Sequence, residues 1–289
     1  METTAIKKAV LASFISEVNA LKPGNVSRYA AGHDMTADDF IRSADLTTPL
    51  LCNTHASIGE RILESVRVTH DVISCNTNLG MLLLFAPLIK AAERCQNGKL
   101  LRECLLLELE KLDKQDAELV FEAIRLANPG GLGRSDTHDV ISAPDCGLLE
   151  AMRYARKQDR IACQYANGFE DIFTTGLACI KDYILRWNSV EWAAVACYLT
   201  LMADFPDSHI QRKFGPGIAE KIRIRTSPIA RRFKESNYPE NNLQQLLDFD
   251  KELKDSNINP GTSADLTAAS LLVYNLVGDV SNFGYADWE

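Results

Sequence analysis

Apolar residues recur at helical spacing along most of the chain. Ile58, Ile62 and Val66 form one such stripe, and Leu266 and Val273 belong to another. The pattern predicts helices over 3–21, 57–73, 78–95, 100–127, 145–158, 169–187, 190–204, 243–254 and 263–277. Pro and Gly mark the breaks, without the two-residue turns of β-hairpins. The sequence therefore predicts an all-α protein, a single compact multi-helix domain over residues 1–289.

Polar stretches separate the predicted helices. The connections are predicted at 22–36, 128–145 and 206–217, and loops of this length in a compact domain are often functional. Pro87 lies inside an apolar helical run and predicts a kink or a helix boundary. The segment 234–242 (KESNYPENN) is expected to be a mobile linker.

Composition and charge exclude several classes of function. The 289 residues are 46% hydrophobic and 24% charged, which is ordinary for a globular protein. A formal net charge of −8 argues against a nucleic-acid partner, because binding to phosphate backbones depends on clustered Lys and Arg. The most basic stretch, 221–234, is better explained as a solvated helix face than as an anion site.

The cysteines and the apolar runs indicate the cellular compartment in which the protein is expected. Eight cysteines are scattered without a CxxC pair, which favours buried thiols in a reducing cytoplasm. The apolar run after Lys7 and Lys8 stops at Glu17 without a cleavage pattern and fits an amphipathic helix. The run 79–89 is far shorter than the roughly 20 residues of a membrane span. We therefore expect a cytoplasmic protein with no membrane partner.

The first polar motif, LKPGNVSR at 21–28, follows the N-terminal helix. Pro23 and Gly24 end that helix, and the turn is suited to holding Lys22 and Arg28 toward an anion. The alternative is a helix stop with two exposed basic residues. Glu17 shares a helix face with apolar neighbours and is expected to point inward beside the turn, where a carboxylate usually has a partner or a task.

Two further segments admit both structural and functional interpretations. His33 and Asp34 precede a helix start and are placed for catalysis or Mg²⁺ coordination. Asn76, Thr77 and Asn78 precede an apolar helix, so they are expected either to cap it or to bind a phosphate or ribose hydroxyl there.

The remaining polar segments lie in the second half of the chain. The glycine-rich stretch 128–139 (NPGGLGRSDTHD) is neither a Walker motif nor a dinucleotide fingerprint, and a surface loop explains it equally well. Adjacent Ser208 and His209 are poorly placed for a hydrolase triad with Asp207. Asp265, near the start of the last helix, is expected either to cap that helix or to bind a metal.

Five ordered segments together resemble the triphosphoribosyl-dephospho-CoA synthase family. They are LKPGNV at 21–26 with Glu17 before it, His33-Asp34-Met35 followed by Ser43-Ala44, NTNLG at 76–80, DSHI at 207–210 and NPGTSADL at 259–266. Members of the family show KPG, HDM-like, NTHKG, DSNI-like and SPGGSADL segments in this order.

The resemblance implies an all-α pentosyltransferase. Such an enzyme transfers the triphosphoribosyl part of ATP to the 2′-hydroxyl of 3′-dephospho-CoA and releases adenine. Loss of adenine develops cationic character at the ribose carbon, which a carboxylate would stabilise, and a carboxylate would also take the proton of the attacking hydroxyl. The triphosphate calls for Mg²⁺ and cationic side chains.

The resemblance also implies site residues. Glu17, Asp34, Asp207 and Asp265 are the candidate catalytic groups and Mg²⁺ ligands, undivided between metal binding and general base. The candidate nucleotide and phosphate contacts are Lys22, Gly24, Asn25, Arg28, His33, Asn76, Thr77, Asn78, Ser208, His209, Gly261 and Ser263.

Two departures from the family pattern leave the acceptor open. Asn78 and Leu79 stand where the usual segment has His and Lys, and Thr262 replaces the second glycine of PGG. This NTNLG-type branch is compatible with a related ATP- or phosphoribosyl-using transferase with another acceptor, for example in the biosynthesis of a one-carbon carrier cofactor. A third hypothesis is a helical protein that binds a nucleotide without turnover.

Overall fold

Helices make up the regular secondary structure of the residues that the structure describes. The computed structural model describes residues 1–32, 35–73, 77–95, 100–130 and 138–278, and within these ranges there is no β-strand beyond two isolated bridges. The α-helices are α1 (Thr3–Asn19), α2 (Ala37–Leu51), α3 (Ile58–Ile73), α4 (Leu79–Arg94), α5 (Leu101–Leu109), α6 (Lys114–Ala127), α7 (Leu148–Ala155), α8 (Arg160–Asn167), α9 (Leu177–Trp187), α10 (Val190–Asp204), α11 (Ser208–Phe214), α12 (Pro216–Glu235), α13 (Leu243–Asp255) and α14 (Gly261–Val277). The prediction of an all-α protein is confirmed.

The core is built around α4, α10 and α14. These helices are apolar on nearly all sides, which is typical of helices buried within a protein. α14 packs against α1, α4 and α10, and its buried hydroxyl groups bond to the carbonyl one turn earlier, as Thr267 does to Ser263. The motifs at the start of α4 and α14 are therefore held by helices of the buried core.

Pro87 lies inside α4 without ending it, so a helix boundary at this position was the wrong alternative. A proline has no N–H to donate to the carbonyl four residues earlier, which here is that of Leu83. The buried hydroxyl of Tyr165, on α8, donates to that Leu83 oxygen at 2.6 Å instead. A tertiary hydrogen bond thus satisfies the acceptor that the proline leaves open.

Several predicted boundaries were wrong because aspartates start new helices. The predicted helix 100–127 is two helices, since the Asp113 side chain accepts the Asp116 N–H and begins α6. The predicted helix 145–158 is reduced to α7, and Asp159 caps α8 just after it. The predicted connection 206–217 contains α11, which Asp207 caps.

Segment 234–242 is anchored rather than a free linker. Arg186 donates hydrogen bonds to the carbonyl oxygens of Lys234 and Glu235, and Trp187 donates one to Ser236. The segment then forms a short 3₁₀ turn at Pro239–Asn242, in which both end residues are buried. Polar composition alone suggested mobility, but tertiary hydrogen bonds hold this backbone.

The basic side chains of the stretch 221–234 lie on the outer side of α12. Arg223 pairs with Glu220 and Arg225 with Glu252, whereas Phe233 is fully buried on the other side. This arrangement fits the predicted solvated helix face. No helix of the described ranges has the length and apolar character needed to cross a membrane.

Among the described cysteines, burial follows the prediction only in part. Cys52, Cys104, Cys179 and Cys197 are buried, whereas Cys95, Cys146 and Cys163 are half-buried.

Candidate active site

A cleft of about 530 Å³ opens where the first residues of α4, α8, α11 and α14 meet. Its apolar wall includes Met35, Phe40, Leu79, Met81, Leu83, Phe121, Ile124, Val140, Met152, Tyr154 and Ile161. Its polar lining includes Asn25, Thr77, His209, Arg212, Lys213, Asn259, Thr262 and Asp265. Arg212 and Lys213 supply its positive charge, so the cleft combines an apolar wall with a cationic end.

The first and last motifs dock onto each other at this cleft. The Asn25 amide donates to Asn259 Oδ1 at 2.8 Å, although the two residues lie far apart in sequence. Gly24 has φ +83°, and a Cβ there would lie 2.8 Å from the Pro260 ring, so the turn requires glycine. Asn25 Oδ1 is buried and accepts no hydrogen bond from the described residues, which leaves an acceptor beside the cleft.

Glu17 and Lys22 form a buried ion pair behind the turn. Their charged atoms lie 3.2 Å apart, and the Lys22 ammonium also donates to the carbonyl oxygens of Glu17 and Val26. Burial raises the pKa of Glu17 and lowers that of Lys22, and the mutual attraction of the pair opposes both changes. Neither residue lines the cleft. Lys22 is therefore not placed as the predicted phosphate contact, because its donors are used to hold the turn.

Asp207 joins the starts of two helices. One carboxylate oxygen accepts the N–H groups of His209 and Ile210 at the start of α11, and the other accepts the N–H and hydroxyl of Ser263 in α14. Burial raises the pKa of Asp207, and these hydrogen bonds oppose the rise. With four donors bonded, Asp207 is placed as a double helix cap rather than as a metal ligand.

Thr262 and Ser208 extend this network to α8. Their hydroxyl oxygens lie 2.9 Å apart, and Ser208 Oγ accepts the N–H of Arg160. Thr262 Oγ1 also accepts the His209 N–H at 3.2 Å. Thr262, the departure from the family's second glycine, thus ties together the starts of α8, α11 and α14. The Ser208 hydroxyl is used within the protein and is not placed as the predicted ligand contact.

Of the three predicted catalytic carboxylates that the structure describes, Glu17, Asp207 and Asp265, it is Asp265 that lines the cleft. No hydrogen bond to its side chain comes from the described residues, so it does not act as the helix cap considered above. Burial raises its pKa well above the ordinary value of 3.8, and the nearby charges of Glu17 and Asp207 raise it further. A side chain at Gly80 would collide with the carboxylate, so glycine allows Asp265 to approach the first turn of α4.

The two described residues of the NTN segment, Thr77 and Asn78, differ in position: the first lines the cleft and the second is buried. Thr77 lines the cleft, and its hydroxyl lies 2.5 Å from that of Ser43. Asn78 occupies the N-cap position of α4 without a side-chain cap bond, and its buried Nδ2 has no partner among the described residues. Leu79 lines the cleft. Position 79, where the family's usual segment has lysine, therefore faces the cleft, whereas position 78, where it has histidine, is buried.

The cationic side chains of the cleft are ones that the sequence analysis missed. Arg212 and Lys213 lie at the end of α11 and line the cleft with His209. Arg212 pairs with Asp159, the cap of α8, while its buried Nε has no partner among the described residues. Arg28 is exposed and outside the cleft. The sequence prediction did not include the helix that begins after Asp207. In that helix, Arg212 and Lys213 lie one turn after His209 and therefore on the same side of the helix as His209.

The sequence matches the family described as ATP:dephospho-CoA triphosphoribosyl transferase, CitG, over residues 3–282. The chain belongs to this family. A crystal structure from Archaeoglobus fulgidus, of a protein proposed to be a triphosphoribosyl-dephospho-CoA synthase, aligns with a TM-score of 0.64 and 29% identity. The alignment covers 82% of this chain and 99% of that chain. The curated proteins include no match.

Membership in the triphosphoribosyl transferase family confirms the resemblance and makes the protein a transferase of the pentosyl class. The structure brings five of the predicted site residues to the cleft of this transferase: Asn25, Thr77, His209, Gly261 and Asp265. A Cβ at Gly261 would lie 2.6 Å from the His209 ring, so this glycine makes room for the imidazole. Gly24, Asn78 and Ser263 are buried around the cleft without lining it. His33, Asp34 and Asn76 lie outside the described residues.

Proposed function

We propose that this chain transfers the triphosphoribosyl group of ATP to the 2′-hydroxyl of 3′-dephospho-CoA, releases adenine and acts in the cytoplasm. The observation that carries the proposal is Asp265, a carboxylate without an internal hydrogen bond, in a cleft that also holds cationic side chains. An aspartate with a purely structural role would accept hydrogen bonds within the protein, as Asp207 does, or form an ion pair. Asp265 is instead available to a ligand.

The two ends of the cleft support binding of a nucleotide polyphosphate. Arg212 and Lys213, in the last turn of α11, bring positive charge to the cleft, and charged side chains form the stronger hydrogen bonds to phosphate. Phe40 and Phe121, on the apolar wall, offer surface for a base. We assign the triphosphate to the cationic end and adenine to the apolar wall.

We assign Asp265 to the reacting ribose carbon. As the bond between this carbon and adenine breaks, the sugar gains positive charge, which the carboxylate stabilises. The acceptor hydroxyl forms the new bond to carbon and passes its proton to the Asp265 carboxylate. The departing adenine takes up one proton and the acceptor hydroxyl loses one, so the reaction neither consumes nor releases protons overall. Glu17 and Asp207 act indirectly, through their negative charge behind Asp265.

Mg²⁺ fits this donor set. The ion is usually bound by one or two carboxylates together with substrate phosphates, and Asp265 has both oxygens free of protein donors among the described residues. Bound Mg²⁺ would neutralise charge on the triphosphate. Of the other cleft carboxylates, Asp159 caps α8 and pairs with Arg212, and Asp139 accepts the N–H of Ile141, so we assign the ion to Asp265.

Adenine release tests the proposal. The purified protein is incubated with ATP and Mg²⁺, with and without 3′-dephospho-CoA, and free adenine and the coupled product are quantified by mass spectrometry. We expect both in equal amounts, and only when the acceptor is present. Release of no adenine with any acceptor, from a protein that ATP still stabilises, would contradict the proposal and support a binding protein without turnover.

Lys213→Ala tests the cationic end. We expect ATP binding to weaken by about tenfold or more, because a hydrogen bond to a charged group contributes roughly 1.5–3 kcal/mol. Isothermal titration at two salt concentrations measures the affinity and its dependence on salt. Arg231→Ala, which removes an exposed cation from α12, is the matched control and should leave the affinity unchanged. Equal losses in both variants would show a general charge effect instead.

A related transferase with another acceptor is the second candidate. Leu79 favours it, because an apolar side chain lines the cleft where other members of the family carry a lysine. Leu79→Lys separates the candidates: a gain in turnover of 3′-dephospho-CoA would indicate that the natural acceptor lacks the anionic group that this lysine meets. Efficient turnover by the unaltered protein would remove the need for another acceptor.

A further inference from the structure

A second cluster of ligating side chains lies at the rim of the cleft. His138, Asp145 and Cys146 bring three potential ligand atoms within 4.8 Å of one another. His138 Nδ1 lies 2.7 Å from Asp145 Oδ1 and 3.3 Å from Cys146 Sγ. The proposed transfer reaction uses none of these residues. We propose that they form a binding site for a divalent transition metal ion of the Zn²⁺ class.

The donor set decides which class of ion fits. An imidazole, a thiolate and a carboxylate are together typical of Zn²⁺ and Co²⁺, whereas Mg²⁺ prefers oxygen ligands. Thiolate and carboxylate balance the two charges of the ion.

The spacing of the ligand atoms is close to that of a metal site. Nitrogen, oxygen and sulfur ligands of a tetrahedral zinc ion lie about 3.3–3.6 Å apart. The distance of 3.3 Å between Cys146 Sγ and His138 Nδ1 already lies close to this range. The Asp145 carboxylate, at 2.7 Å, must move away from the His138 ring by about half an ångström to reach it. Asp145 is exposed and free to do so. Three protein ligands leave one position of a tetrahedral ion for water or another ligand.

The backbone holds the cluster in place. His138 adopts φ +51°, a left-handed conformation in which Asn, Asp and His are enriched among the residues other than glycine, and its ring packs edge-on against Tyr154 at 5.3 Å. Cys146 precedes Gly147, where a Cβ would lie 3.0 Å from the Leu112 carbonyl oxygen. His138 and Tyr154 both line the cleft, so an ion held by His138 borders the space that a substrate fills.

Co²⁺ is the probe for this site because a thiolate ligand gives it a sulfur-to-cobalt absorption band. We expect the full-length protein to bind one Co²⁺ with this band, Zn²⁺ to displace it, and Zn²⁺ to raise the melting temperature. Cys146→Ser should abolish the band. His138→Asn, which tolerates the left-handed backbone, and Asp145→Asn should weaken binding at least about tenfold.

Two cysteine variants serve as controls. Cys163→Ser removes another half-buried thiol, and Cys95→Ser disrupts the contact between Cys95 and Cys104, whose sulfur atoms lie 2.7 Å apart. Both should keep the band. Absence of the band in the unaltered protein, its persistence in Cys146→Ser, or its loss in Cys95→Ser would overturn the proposal. Because the readouts are spectroscopic and thermal, they do not depend on the transferase activity.

Discussion

Asp265→Asn is expected to reduce adenine release by about 10²–10³-fold or more while making the folded protein more stable. The activity falls because the variant loses the negative charge assigned to the reacting ribose and to Mg²⁺. The stability rises by about 1 kcal/mol, or roughly 2 °C in melting temperature, because the buried charge beside Glu17 and Asp207 is removed. Steady-state kinetics and unfolding without nucleotide measure the two effects.

The pH dependence of this stabilisation has a definite sign. The folded-state pKa of Asp265 is raised, so between the ordinary value of 3.8 and the raised value the folded protein binds more protons than the unfolded chain. The stability of the unaltered protein therefore falls as the pH rises through this window. The advantage of Asp265→Asn should be larger at neutral pH than near pH 3.8.

Asp207→Asn is the matched control for Asp265→Asn. It makes the same chemical change at a carboxylate that accepts four hydrogen bonds, and an amide nitrogen would face two of those donors. We expect it to lower the free energy of unfolding by about 1–3 kcal/mol. If both variants changed stability in the same direction, the distinction between a ligand-facing Asp265 and a structural Asp207 would be wrong.

Lys22→Met is expected to lower the free energy of unfolding by about 3–5 kcal/mol, because it leaves the buried carboxylate of Glu17 without its partner. The double variant Glu17→Gln with Lys22→Met should recover much of that loss, since it removes both charges. Chemical denaturation of the single and double variants measures the coupling between the two residues.

Lys251→Met provides the comparison for Lys22→Met. Lys251 also pairs with a carboxylate, that of Asp255, but both side chains are largely exposed, so its loss should cost less than about 1 kcal/mol. A direct phosphate contact by Lys22 predicts the opposite outcome, namely weaker ATP binding by a variant that is nearly as stable as the unaltered protein.

The sequence predicted helices well where burial is one-sided or complete. The period of apolar residues placed α1, α3, α10 and α14 to within a few residues, because that period reflects the face a helix buries. It failed at Asp113, where a side-chain cap starts a new helix inside the predicted helix 100–127, and at Asp159, which caps a helix that begins beyond the predicted end at 158. It also failed at 234–242, which is anchored by hydrogen bonds from α9.

By itself, the sequence determined the helical class, the segments that carry the chemistry and the family, because all three follow from residue types and spacing along the chain. The direction of each polar side chain was decided only by the tertiary structure. Asp265 faces the cleft, Asp207 caps two helices and Glu17 pairs with Lys22, although all three carboxylates looked equivalent in sequence. The physical reason is that their partners come from other helices, and burial and charge depend on that packing.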